Sequence, residues 1–156
     1  MSRSDRRTAL PLRPAAALLG LLPLVCVSAP AGAEPASQTI RHRVVLELTT
    51  DATASWEGVL NNLENARQAL GPDRTTLELV VHGPAIGFVL PAHQRGAKRM
   101  QALADQGVIF AACRNSMNRK KLTDSDLLPF VKVVPAGVAE VVLKQEDGWS
   151  YLKSGH

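Results

Sequence analysis

From residue 43 onward the sequence switches repeatedly between short runs of β-branched and aliphatic residues and longer stretches whose apolar residues recur every three or four positions. The first periodicity belongs to strands and the second to helices, so the alternation is the strongest constraint on what the chain can fold into. "RVVLEL" (Arg43–Leu48), Thr76–Val81, Val108–Ala112, Val131–Val134 and Trp149–Leu152 read as strands. Ser55 is placed to N-cap a helix with Trp56, Val59, Leu60, Leu63, Ala66 and Leu70 on one side, stopped by Gly71-Pro72. A second helix spans His93 to Gln106 with Ala97, Met100, Leu103 and Ala104 along one side, and ends at Gly107. A third follows Pro135-Ala136-Gly137, turns Val138, Val141 and Val142 inward and stops at Gly148. Ile86–Leu90 fits a short helix or an extended segment, and Thr123-Asp124-Ser125-Asp126 starts a short helix ending near Pro129. Strands separated by single helices and short connections pair in parallel, which predicts a small doubly wound α/β domain. Its largely parallel sheet has about five strands, with helices on both faces.

Parallel sheets bind ligands in the crevice outside the carboxyl ends of their strands. Thr49–Asp51, His82-Gly83, Cys113–Ser116 and Pro135–Gly137 all fall at such ends, so four separated stretches are expected to converge on one edge.

The beginning of the chain belongs to a different class of segment. Arg3, Arg6, Arg7 and Arg13 precede an apolar run from Ala15 to Val27, followed by a small-residue exit at Ala31-Gly32-Ala33. This is the pattern of a cleavable signal peptide over residues 1–33, leaving a single domain over 34–156 and a periplasmic or secreted protein. A transmembrane anchor fits poorly: the run is shorter than the roughly 20 residues a span needs, and Pro23 interrupts it. No membrane association is expected after cleavage. The leader holds four arginines against Asp5, so the formal charge of +4 falls to +1 for the remainder. A charge that small gives no electrostatic case for nucleic-acid binding. Cys26 leaves with the leader, and Cys113 becomes solitary in a compartment where thiols usually pair.

A lone exported thiol is buried and inert, paired between chains, or chemically used. Cys113 sits at the end of a strand, beside the free N–H groups of the next segment and near Arg114, Arg119 and Lys120. Those groups favour thiolate and lower its pKa from about 8.5. A thiolate can take up a sulfur atom as a persulfide or be oxidised. His82 suits proton transfer, and Asn115 and Ser116 offer hydrogen bonds beside the thiol, although both are also ordinary turn residues. His42 and His93 have no partner at metal-ligand spacing, so no metal is expected. Gly83 and Gly137 lack the order of a dinucleotide motif and no phosphate loop occurs, so no cofactor is expected either. Arg119-Lys120-Lys121 reads most simply as a solvated surface.

Taken in order, "VVLELTTD", "NNLENARQALGPD", "LELVVHGPAIGFVL", "GVIFAACRNS" and "LLPFVKVVPAGVAEVVLKQEDGWSYLK" resemble the DsrE/DsrF-like family of small sulfur-relay proteins, from about Arg43 to Lys153. The resemblance implies a flavodoxin-like fold and a homo-oligomer, trimer or hexamer. It implies a persulfide carried on Cys113, with His82 and Asn115 matching residues commonly found beside that cysteine. Arg114, Ser116, Gly83 and Gly137 complete the expected substrate-binding set. Donor and acceptor proteins for the sulfur are the implied partners, and the leader marks an exported member. A noncatalytic oligomeric binding module and a thiol redox sensor are the competing readings.

Overall fold

A computed structural model describes residues 41–154. The leader expected over residues 1–33, with Cys26, and the polar tail that follows lie outside the described residues.

Five strands, β1 (His42–Leu48), β2 (Thr75–Val81), β3 (Ile109–Cys113), β4 (Lys132–Val134) and β5 (Ser150–Lys153), form one sheet in the order β4-β3-β2-β1-β5. Every pairing is parallel. The predicted α/β architecture is therefore the one adopted. The strand that doubles back across the sheet is the last in the chain.

Side chains alternate across this sheet and divide its core in two. Leu46, Leu48, Leu77, Leu79, Val81, Phe110 and Ala112 face one way, against Val59, Leu60 and Leu63 of α1 (Thr53–Leu70), Met100 and Leu103 of α2 (Gln94–Asp105) and Met117 of α3 (Arg114–Arg119). Val45, Val80 and Ala111 face the other way, where Val141 of α4 (Gly137–Glu146) covers them. Three helices thus share one face and α4 lies on the other. The chain leaves β3 toward the first face and leaves β4 toward the second, so the topological switch point falls between these neighbouring strands. That is where an open parallel sheet has its crevice.

Local chemistry shifted several boundaries. Helix α1 begins at Thr53 with Ala52 as its N-cap, not at Ser55. The Thr50 hydroxyl accepts from the Ala52 N–H at 3.2 Å and the Trp56 indole donates to the Thr50 carbonyl at 2.8 Å, which sets the entry earlier. The ambiguous segment after β2 is a run of 3-10 turns over Gly83–Val89, with Ile86, Phe88 and Val89 buried. The segment after Thr123 is likewise a single 3-10 turn, closed by a capping box between Thr123 and Asp126. Of the three valines predicted to face inward on α4, only Val141 does; Val138 is 62% and Val142 47% exposed. The face turned to the sheet runs instead through Gly137, Val141 and Lys144, because Lys144 reaches the carboxylate of Glu78 at 2.7 Å. Glu78 is 2% exposed on β2, and an unpaired carboxylate at that depth would be costly.

Candidate functional site

The last residue of β3 is Cys113, and the chain turns there directly into α3, so the cysteine is that helix's N-cap. The thiol is buried. Its surroundings are polar nonetheless. Burial is the largest influence on the thiol and opposes ionisation, yet the Gly137 N–H, the Ser116 hydroxyl and the N–H groups of Ser116 and Asn115 together hold its pKa below the ordinary value. Three of these donors come from α3 and one from the first residue of α4, across the switch point.

Ser116 is oriented by its own partner. Its hydroxyl oxygen accepts a 2.7 Å hydrogen bond from the Gly83 N–H, which leaves the hydroxyl hydrogen for the sulfur. Gly83 holds φ at 62°, in the left-handed region that glycine enters without strain, and so aims its N–H at Ser116. At Gly137 the reason for glycine is space: a Cβ there would stand 2.9 Å from His82 Cβ and 3.0 Å from ring atoms Cγ and Cδ2.

His82 leaves β2 with its N–H donated to the Leu48 carbonyl at 3.1 Å. Its Nε2 lies 2.6 Å from Oε1 of Glu47 on β1, and Oε2 of Glu47 accepts from the Tyr151 hydroxyl at 2.7 Å. Burial is the largest influence on Glu47 and works against ionisation. The hydrogen bonds from Tyr151 and His82 and the charge of Lys153 outweigh it and hold the carboxyl below its ordinary pKa. The same bond pushes the Tyr151 phenol up to about 12.

A recess of about 210 Å³ opens at this edge, lined by His82, Gly83, Cys113, Asn115, Ser116, Arg119, Ala136, Gly137 and Val138. Six of the seven residues singled out in the sequence meet in it. Arg114 does not: its guanidinium turns outward and forks onto both carboxylate oxygens of Asp124. The cation at the recess is Arg119, one helical turn and a residue further on; of its two readings in the sequence, a cation near the Cys113 thiol and part of a solvated surface, the fold adopts the first. Glu47 is the member that sequence reasoning missed. The one available signal was a charged residue alternating with Val45 on a strand buried on both faces. Among the described residues no group of three or more His, Cys, Asp or Glu side chains is placed to hold a metal ion. Nor is any of the described helices long and apolar enough to cross a membrane.

A thiol set among N–H donors at a strand end can act as a nucleophile toward sulfur and accept a transferred sulfur atom. The recess has room for a few heavy atoms around it, with a cation at one side. Comparison with known proteins agrees with the fold and places the chain in a family. A protein of unknown function from Methanobacterium thermoautotrophicum superimposes with a TM-score of 0.67 at 27% identity, covering 72% of this chain and 98% of that one. A second conserved protein of unknown function, from Bacteroides thetaiotaomicron, shares the fold with a TM-score of 0.56 at 12% identity, over 71% of this chain and 93% of that one. No curated protein matches. The sequence model of the DsrE/DsrF-like family matches residues 25–154, and the chain belongs to that family, one of the sulfur-relay type.

Proposed function

We propose that this protein is an exported sulfur carrier in which Cys113 takes a sulfur atom from a persulfide donor and passes it to an acceptor thiol. The observation that supports this most directly is the position of the Cys113 thiol at the β3/β4 switch point, beneath the N–H groups of Gly137 and Ser116. In the loading step the Cys113 thiolate attacks the outer sulfur of a donor R–S–S–H. One S–S bond forms as the donor's breaks, and R–S⁻ departs with the bond's electron pair. The proton of the transferred sulfur goes to R–S⁻ by way of His82, leaving Cys113–S–S⁻ and R–SH. No external oxidant or reductant is consumed. The N–H donors around Cys113 and the Arg119 guanidinium stabilise the anion. Asn115, Ser116, Gly83 and Gly137 shape the recess that receives it.

Val138, Val142 and Leu143 of α4 are 62%, 47% and 56% exposed, and Tyr151 and Leu152 of β5 are exposed as well. This favours a homo-oligomer over a monomer, and the resemblance to the DsrE/DsrF-like family implies a trimer or hexamer. Export rests on the leader pattern of residues 1–33, and the N-terminus of protein recovered from expressing cells is expected at Glu34.

Intact-mass measurement after incubation with a sulfane-sulfur donor tests the carrier function. The expected result is one added sulfur atom per chain, removed by reductant and absent from Cys113→Ser. A native protein that gains no such adduct would instead be a noncatalytic binding module of the same fold.

A further inference from the structure

Both oxygens of Glu47 are engaged, one by Nε2 of His82 at 2.6 Å and the other by the Tyr151 hydroxyl at 2.7 Å. An ionised carboxylate offers only lone pairs, so the hydrogen in the first bond must sit on Nε2. The side chains of His82 and Glu47 are 16% and 21% exposed, shielded enough for the bond to be more than a surface ion pair. Gly137 fixes the same ring from another direction, since its Cα packs where any larger residue would strike Cγ and Cδ2. Carboxylate and glycine therefore leave the imidazole one tautomer and one orientation. Among the described residues, Lys153 on β5 also acts on Glu47, and the titratable Cys113 on β3 and the cation of Arg119 on α3 line the recess with His82.

We propose that Glu47 is a positioning residue for His82, holding its proton on Nε2 and keeping Nδ1 as the only acceptor the ring presents. Tyr151 braces Glu47 from the far side. The consequence for sulfur transfer rests on the carrier function proposed above. During loading, the proton of the transferred sulfur passes to Nδ1 and from there to the departing thiolate, while the Nε2 hydrogen stays with Glu47 throughout. In the other tautomer the hydrogen would sit on Nδ1, the bond from Nε2 to Glu47 would be lost and the neutral ring would have no acceptor at Nδ1.

Nitrogen-15 spectra of the imidazoles, with His82 identified by its loss in His82→Gln, read the tautomer directly and do not depend on any activity. The wild-type protein is expected to show a protonated Nε2 and a bare Nδ1 in neutral His82. Tyr151→Phe is expected to keep that signature, and Glu47→Leu to lose it. The single-turnover rate of sulfur loading on Cys113 is expected to fall roughly tenfold or more in Glu47→Leu with the final stoichiometry unchanged. A bare Nε2 in the wild type overturns the proposal even if Glu47→Leu does not fold. So does a folded Glu47→Leu that keeps both tautomer and rate. A wild type that takes up no sulfur refutes the carrier function instead, and the tautomer then decides the role of Glu47 alone.

Discussion

Gly137 packs against the imidazole of His82 so closely that a single added carbon would stand 2.9 Å from its Cβ. The same residue supplies an N–H to the Cys113 thiol. One glycine thereby sets the spacing of both side chains, and Gly137→Ala must push either the ring or the start of α4 away. Loss of stability of about 1–3 kcal/mol is expected from the overpacking. A separate effect should appear at the thiol, because moving α4 withdraws a donor from the thiolate. The pH profile of Cys113 alkylation in Gly137→Ala should shift to higher pH than in the wild type, and an unchanged profile would show that the Gly137 N–H does not govern the thiol.

Ser116 couples two positions in the same way, accepting from Gly83 and donating to Cys113. Ser116→Ala removes both bonds and strands the Gly83 N–H in a half-buried site. Denaturant unfolding should show a loss of about 1–3 kcal/mol. Alkylation should again need a higher pH. A Ser116→Cys variant, with a weaker donor, is expected to lie between the two.

Much of this arrangement was legible in the sequence because parallel strands gather their carboxyl ends, so finding the strands located His82, Gly83, Cys113, Asn115, Ser116 and Gly137 together. β-branched runs and glycine stops gave those strands to within a residue or two. What pattern alone missed depends on contacts distant in sequence. Arg114–Arg119 forms a helix although Asn115, Ser116 and Asn118 are poor helix formers, because burial of Met117 in the core holds it in place. That helix carries Arg114 outward to Asp124 and brings Arg119 to the recess. The orientation of α4 was misjudged because valine spacing there competes with a buried ion pair. Glu47 and Tyr151 are 104 residues apart and meet only when β5 returns beside β1.

The ion pair under α4 makes its own prediction. Burial, the largest influence, pushes the Glu78 carboxyl above its ordinary pKa, and Lys144 only partly offsets it. Lys144→Met leaves the charge unpaired and should destabilise the fold by about 3 kcal/mol near neutral pH. A raised folded-state pKa means that stability is fullest below the unfolded value and declines as pH rises through the folded one. The defect in Lys144→Met should therefore shrink as the solution is acidified and Glu78 takes up its proton. The double variant Glu78→Leu, Lys144→Met, apolar on both sides, should recover most of the wild-type stability in thermal melts. A double variant no better than the single one would mean that α4 needs the pair for its orientation.

Tyr151 is the only tyrosine in the chain, so its ionisation can be followed by ultraviolet absorbance without interference from another phenol. The hydrogen bond it donates to Glu47 is the main cause that raises its pKa to about 12. A phenol whose folded-state pKa is raised favours the fold below its unfolded value of about 10 and ceases to do so as pH climbs through the folded one. The residue is 41% exposed, so solvent screens this contribution to stability and the titration is the better readout. The wild-type midpoint is expected near 12, and Glu47→Gln should bring it down toward that of a free tyrosine because the charged acceptor is gone. Cys113→Ser should leave it unchanged, since the thiol lies on β3 and touches neither group. A wild-type midpoint already at the free-tyrosine value would mean that Tyr151 does not brace Glu47 in solution.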